Sequence, residues 1–208
     1  MDVRDRLRRA RLLLVTDPRP DLEVRVEAAV RGGVDIVQLR EKRASREEAL
    51  PLARRLRELC VRHGALFTVN DDIELARLSG AHGVHLGQED EPVARAREVL
   101  GAGAVVGRSA GSLEEARRAV REGADYLGVG SVYPTPTKPD AKVRGLGLVR
   151  ELARADLGVP WFAIGGVTLE TAEEVAAAGA PGFAVVRAVL DAGDPEAAAR
   201  VLRALVSG

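Results

Sequence analysis

Cysteine, histidine and aromatic residues are scarce in this chain of 208 residues. Each scarcity removes a class of function. A single cysteine, Cys60, leaves no internal disulfide to form and no thiolate set for a structural zinc. Three histidines, His63, His82 and His85, give no support to a histidine-based metal centre. Aromatic side chains make up 3% of residues, too few for a base-stacking platform. Charge of one sign is also missing: 31 basic and 31 acidic side chains cancel, so no overall field draws nucleic acid or an anionic membrane. Long apolar runs are absent. Leu12-Leu13-Leu14-Val15 follows a basic N-terminal stretch but stops at Thr16-Asp17, too short for a signal-peptide core or a membrane span. The expectation is a soluble, cytoplasmic protein with neither nucleic acid nor membrane as partner.

What is present is a regular alternation. Short apolar runs at 12–16, 36–40, 66–70, 83–86, 105–109, 126–130, 161–164 and 182–186 read as strands. Between and after them lie amphipathic helical patterns at 22–31, 45–62, 73–79, 92–100, 112–122, 145–155, 170–178 and 194–206. Ser45-Arg46-Glu47-Glu48 forms a capping box, Ser112-Leu113-Glu114-Glu115 repeats that cap pattern, and Gly32-Gly33 closes the first helix. Strands alternating with helices predict a parallel sheet with right-handed crossovers. Eight units predict a single α/β domain over 1–208, a (β/α)8 TIM barrel with its site at the C-terminal strand ends. A doubly wound open sheet, which more often has five or six units, is the alternative. No linker or low-complexity tract marks a second domain. Ser131–Gly145 is the one long connection and a candidate lid.

Polar residues gather where the strands end. In Val37-Gln38-Leu39-Arg40-Glu41-Lys42 the period of two puts Gln38, Arg40 and Lys42 on one face. Either the strand runs out into a solvated loop, or this face meets a polyanion, for which Arg and Lys are well suited. Asp71 and Asp90 follow adjacent strands and could share a hard cation such as Mg2+, or could cap the next helices. Gly165-Gly166 precedes a helix beside the eighth strand, as in phosphate sites of barrels, or forms only a tight turn. Thr135, Thr137 and Lys138 bring hydroxyls and a cation to the long loop. His63 and His82 read as helix terminators, His85 as a packed residue facing the barrel, and Cys60 as core.

Taken in order, these motifs resemble the thiamine phosphate synthase (thiamine-phosphate pyrophosphorylase) family. The residues that carry the resemblance are 37–42, Asn70-Asp71, 83–90, Gly107-Arg108-Ser109, 123–128, 134–138 and Ala163-Ile164-Gly165-Gly166, with Ala184-Val185-Val186 closing the match. The family fold is a (β/α)8 barrel. The resemblance implies a transferase that joins hydroxymethylpyrimidine diphosphate to a phosphorylated hydroxyethylthiazole, with Mg2+ as cofactor and pyrophosphate as second product. It implies that Gln38, Arg40 and Lys42 hold the diphosphate, Asn70 the pyrophosphate, and Asp71 and Asp90 the magnesium. Ser109 and Lys138 fall at the diphosphate or pyrimidine, so that Arg40, Lys42, Ser109 and Lys138 form the catalytic set. Thr135, Thr137 and Gly166, with Val186 and Arg187 at the end of strand eight, fall at the thiazole phosphate.

Three positions depart from the family pattern. Asp72 stands where many relatives have Arg, Gly111 where many have His, and Arg187 where Ser is usual. A related branch, the thiazole tautomerases, uses a His near Gly111 for proton transfer, which glycine cannot supply. The retained Asp71, Asp90 and Lys138 favour the synthase over that branch and over a non-catalytic phosphate-binding barrel. Arg187 is expected to extend toward the phosphate, since a buried guanidinium without an anion is costly. The sequence leaves the oligomeric state open, a homodimer among the options.

Overall fold

Eight parallel strands close on themselves in chain order in the computed structural model, which describes residues 2–206. They are β1 (Leu12–Val15), β2 (Ile36–Leu39), β3 (Leu66–Asn70), β4 (Gly83–Leu86), β5 (Val105–Ala110), β6 (Tyr126–Gly130), β7 (Trp161–Ile164) and β8 (Phe183–Val185). The pairs Leu12↔Phe183, Leu13↔Ala184 and Leu14↔Val185 join β1 to β8. That seam eliminates the open-sheet alternative and establishes the (β/α)8 barrel. Each strand is short and almost wholly buried, as expected where helices cover one face and a filled barrel the other.

The outer layer comprises α2 (Leu22–Arg31), α3 (Arg46–Arg62), α4 (Ile73–Ser79), α5 (Val93–Leu100), α6 (Leu113–Arg121), α7 (Gly145–Ala153), α8 (Ala172–Ala177) and α10 (Pro195–Ala204). The capping box at Ser45 forms with both reciprocal bonds, and Ser112 and Asp194 cap α6 and α10. Two helices were not legible beforehand. The first, α1 (Val3–Arg9), lies in the basic N-terminal stretch. The second, α9 (Arg187–Leu190), starts directly after β8. His63 ends α3 as expected, whereas His82 does not serve α4: Gly80 closes that helix, and His82 Nδ1 instead accepts the Phe67 N–H at 2.9 Å.

The barrel interior changes character along its axis. At the N-terminal end Leu13, Ile36, Leu66, Val105, Tyr126, Phe162 and Ala184 pack with Leu7 and Ala10, so α1 stops the lower mouth with apolar side chains. Arg4 and Arg6 fasten it by donating to Ala102 O and Gly64 O, both at 2.7 Å. Above this layer the inward positions turn polar, with Gln38, Thr68 and His85 all buried. Gly107 makes room there: a Cβ would stand 2.2 Å from Tyr126 Cζ and 2.5 Å from His85 Nδ1. The two rings fill what the glycine leaves empty.

Candidate active site

The C-terminal mouth is built from β2 around the ring. Beyond β2 the chain is held by the Arg40 N–H donating to Thr16 Oγ1 at 3.1 Å, which leaves the Arg40 guanidinium half-buried and without a hydrogen-bond or ion-pair partner among the described residues. Lys42 Nζ bonds Asp71 Oδ2 across the mouth. Gln38 lies within β2 and is 4% exposed, whereas Arg40 and Lys42 follow the end of the strand at Leu39, beyond the reach of its alternation.

The two aspartates of the third loop divide their roles. Asp72 accepts the Leu75 N–H at 2.8 Å as the N-cap of α4 and pairs with Arg46. Asp71 caps nothing. Its φ of 65° turns it out of the helix path, while its N–H donates to His85 O at 2.8 Å. Asp90 does not cap either, because Pro92 is the N-cap of α5; its Oδ2 accepts the Gly87 N–H at 2.6 Å and closes the turn after β4. Asp71 and Asp90 thus come together close enough to hydrogen-bond each other. Burial and the neighbouring Asp90 push the Asp71 carboxyl up, with Lys42 pulling against them. At Asp90 burial acts upward too, but the bond from Asp71, the Gly87 amide and the charges of Lys42 and Arg108 outweigh it, and the carboxyl ends below its ordinary value.

Beneath this pair lies a polar floor. His85 Nε2 and Ser109 Oγ are 3.0 Å apart, and the imidazole leans on Tyr126 with ring centroids 5.4 Å apart. Burial, aided by Arg108, lowers His85 to about 4, so the ring is neutral at pH 7. Burial likewise raises Tyr126, whose hydroxyl faces Thr68 and Gln38. Tyr126 Oη, Thr68 Oγ1 and His85 Nδ1 have no hydrogen-bond partner among the described residues. His85 is packed into the barrel as expected and in addition bonds Ser109. The signal was its place between Val84 and Leu86, which aims it inward on β4.

The long connection after β6 forms the opposite wall. Ser131 Oγ donates to Tyr133 O at 2.6 Å, and Val132 and Tyr133 N–H groups donate to Ile164 O and Gly165 O, both at 2.9 Å. The Thr137 N–H reaches Thr135 Oγ1 at 3.3 Å, and the Lys138 ammonium is exposed with no partner among the described residues. Gly165 and Gly166 have φ of 97° and 64° and pack under this loop; a Cβ on Gly166 would stand 2.6 Å from Pro134 O. They do not open a helix directly, because α8 begins six residues later at Ala172. Half-buried Val186 precedes Arg187, which opens α9. Arg187 corrects one expectation: its Nε lies 3.9 Å from Asp191 Oδ2, one turn along its own helix, rather than extending to the glycine pair. An i,i+4 carboxylate is the nearest anion available to it. The guanidinium of Arg144 sits against Gly111, and nothing in its sequence context marked it.

Among the described residues no group of three or more His, Cys, Asp or Glu could hold a metal ion. Two facing carboxylates, one of them bonded to the Lys42 ammonium, are a donor set that Mg2+ accepts when water and phosphate oxygens complete it. No helix among the described residues is long and apolar enough to cross a membrane.

A family model described as thiamine monophosphate synthase matches residues 12–189. A thiamine-phosphate synthase of Gloeobacter violaceus is 52% identical over 194 residues, covering 93% of this chain and 57% of that protein. One from Halorhodospira halophila is 50% identical over 189 residues and 90% of each chain. The chain thus spans little more than half the length of the first curated relatives it matches. The solved structure of a thiamine phosphate pyrophosphorylase from Pyrococcus furiosus superposes with a TM-score of 0.86 at 38% identity, over 99% of this chain and 98% of that one. Barrel and matched sequence agree, and the chain belongs to the thiamine monophosphate synthase family.

Proposed function

We propose that this barrel joins hydroxymethylpyrimidine diphosphate to a phosphorylated hydroxyethylthiazole, releasing pyrophosphate and leaving thiamine phosphate. The observation that carries the reading is the cluster at the mouth: Lys42 on Asp71, Asp71 beside Asp90, and, at the end of β2, the Arg40 guanidinium without a partner among the described residues. In this reaction the bond between the pyrimidine methylene carbon and the diphosphate oxygen breaks, and its electron pair leaves with pyrophosphate. The thiazole nitrogen lone pair then forms the new C–N bond, and the positive charge remains on the thiazolium. No proton needs to move. That suits a site whose histidine is buried and neutral and whose cysteine lies in the core.

Asp71 and Asp90 would hold Mg2+, which when bound neutralises charge on the departing pyrophosphate. Arg40, Lys42 and Lys138 add fixed positive charge to the same oxygens, and Asn70 a neutral donor. Gln38, buried in β2, offers neutral amide donors to the inner end of the same diphosphate. Thr135, Thr137 and Gly166, with Val186 on the rim, face the thiazole phosphate, while Arg187 stays with Asp191, and the loop over them excludes water from a cationic intermediate. The test supplies both substrates with and without Mg2+ and measures thiamine phosphate and pyrophosphate. Equal amounts of both, formed only when all components are present, are expected; no product from the complete mixture overturns the reading.

A further inference from the structure

Arg144 is the last residue of the long loop, immediately before α7. Its N–H donates to Ser131 O at 2.8 Å, tying the end of the loop to its beginning. Its side chain reaches back to the residue that follows β5. A Cβ built on Gly111 would stand 2.9 Å from Arg144 Nη2, 3.1 Å from Nε and 3.3 Å from Cζ. The guanidinium therefore occupies the space in which any side chain at 111 would lie. Most arginines in this structure answer a carboxylate or a carbonyl, as Arg19, Arg46, Arg97 and Arg118 do. The Arg144 guanidinium answers none among the described residues; Arg40 and Lys138 at the same mouth share that condition, as do surface arginines such as Arg121. Two residues before Gly111, Ser109 joins the polar floor through His85, and Gln88 Nε2 bonds Ser109 O.

We propose that Arg144 is a further substrate-binding residue, which takes the diphosphate of the pyrimidine substrate from the β5 side, and that Gly111 is the space that admits it. This rests on the synthase reading above. A planar fork of donors on a backbone pinned at Ser131 suits two oxygens of one diphosphate. The loop thereby supplies the cation that the strand end itself lacks at Gly111.

Arg144→Gln is expected to raise the KM for the diphosphate substrate about tenfold and to weaken inhibition by inorganic pyrophosphate by the same factor, the loss of one charge-assisted contact. Because that contact is made before the bond breaks as well as after, kcat is expected to fall less than about threefold. The KM for the thiazole phosphate stays where it was, and Arg144→Lys recovers part of the loss. Gly111→Ala puts a methyl group where the guanidinium lies and shifts the same KM, and the double variant is no worse than Arg144→Gln alone. An Arg144→Gln enzyme with wild-type KM and wild-type pyrophosphate inhibition overturns the assignment, and so do effects at 111 and 144 that simply add. If the wild-type protein makes no thiamine phosphate, the synthase reading fails by itself. Calorimetric titration with inorganic pyrophosphate then still decides: a Kd that Arg144→Gln leaves unchanged overturns the role of Arg144, and a Kd weakened about tenfold upholds it.

Discussion

Asp71 holds a backbone conformation that few non-glycine residues adopt, and it does so beside a second carboxylate. Such a φ costs on the order of 1 kcal/mol or more, less for Asp and Asn than for branched residues. The half-exposed bond to Lys42 is worth less than about 1 kcal/mol, and like-charge repulsion from Asp90 works against it. Asp71→Asn keeps the tolerated backbone and removes the charge. Chemical denaturation should therefore move by less than about 1 kcal/mol, while a Mg2+ titration of turnover shifts to higher concentration. Lys42→Met should lower kcat more than it raises KM, since charge on the leaving group develops during bond breaking; equal kinetics in the folded fraction would make the Lys42–Asp71 pair merely structural. His85 sets a pH limit. It is charged in the unfolded chain below about 6.5 but stays neutral in the fold down to about 4, so the unfolded state binds the extra proton in that window. Stability should be full above pH 6.5 and fall by up to about 3 kcal/mol as pH drops to 4; a flat denaturation midpoint across that range would contradict the burial of the ring. At this scale the sequence showed which residues gather at the mouth. It could not say that Asp72 rather than Asp71 caps α4, because that depends on one dihedral angle, nor that Arg144 would cross the loop to reach Gly111.

Elements differ in how openly the sequence announces them. Helix α3 carries its start in Ser45 and Glu48, and the structure makes both bonds. Helix α1 carries its reason to exist in the tertiary fold. Its seven residues are too few to be stable alone, and five of them are charged, so local pattern hides the one apolar stripe through Val3, Leu7 and Ala10. Only a barrel with an open lower mouth gives that stripe something to bury. Leu7→Ala should therefore cost about 2–4 kcal/mol, typical of a fully buried leucine, in urea denaturation followed by far-UV circular dichroism. A loss under 0.5 kcal/mol, roughly what a surface site gives, would show that α1 does not seal the barrel. Helix α9 was hidden for another reason: four residues give no period, and Arg187 read as a strand end rather than a first helical residue.

For the molecule as a whole, the eightfold alternation of apolar runs and amphipathic helices made the architecture legible, because a parallel sheet needs a crossover after every strand. The closing seam was not legible. Nothing local in Leu12-Leu13-Leu14 specifies Phe183-Ala184-Val185 as a partner; only the geometry of eight staggered strands brings them together. The stopper at the lower end has a consequence for traffic. With α1 in place and side chains filling the barrel, the C-terminal mouth is the one way in: anything coming to rest above Gln38 and His85 enters past Arg40, Lys42 and the loop at 131–144, and leaves the same way. Two ligands stacked in a mouth with one opening cannot pass each other, so the deeper one would have to arrive first and depart last.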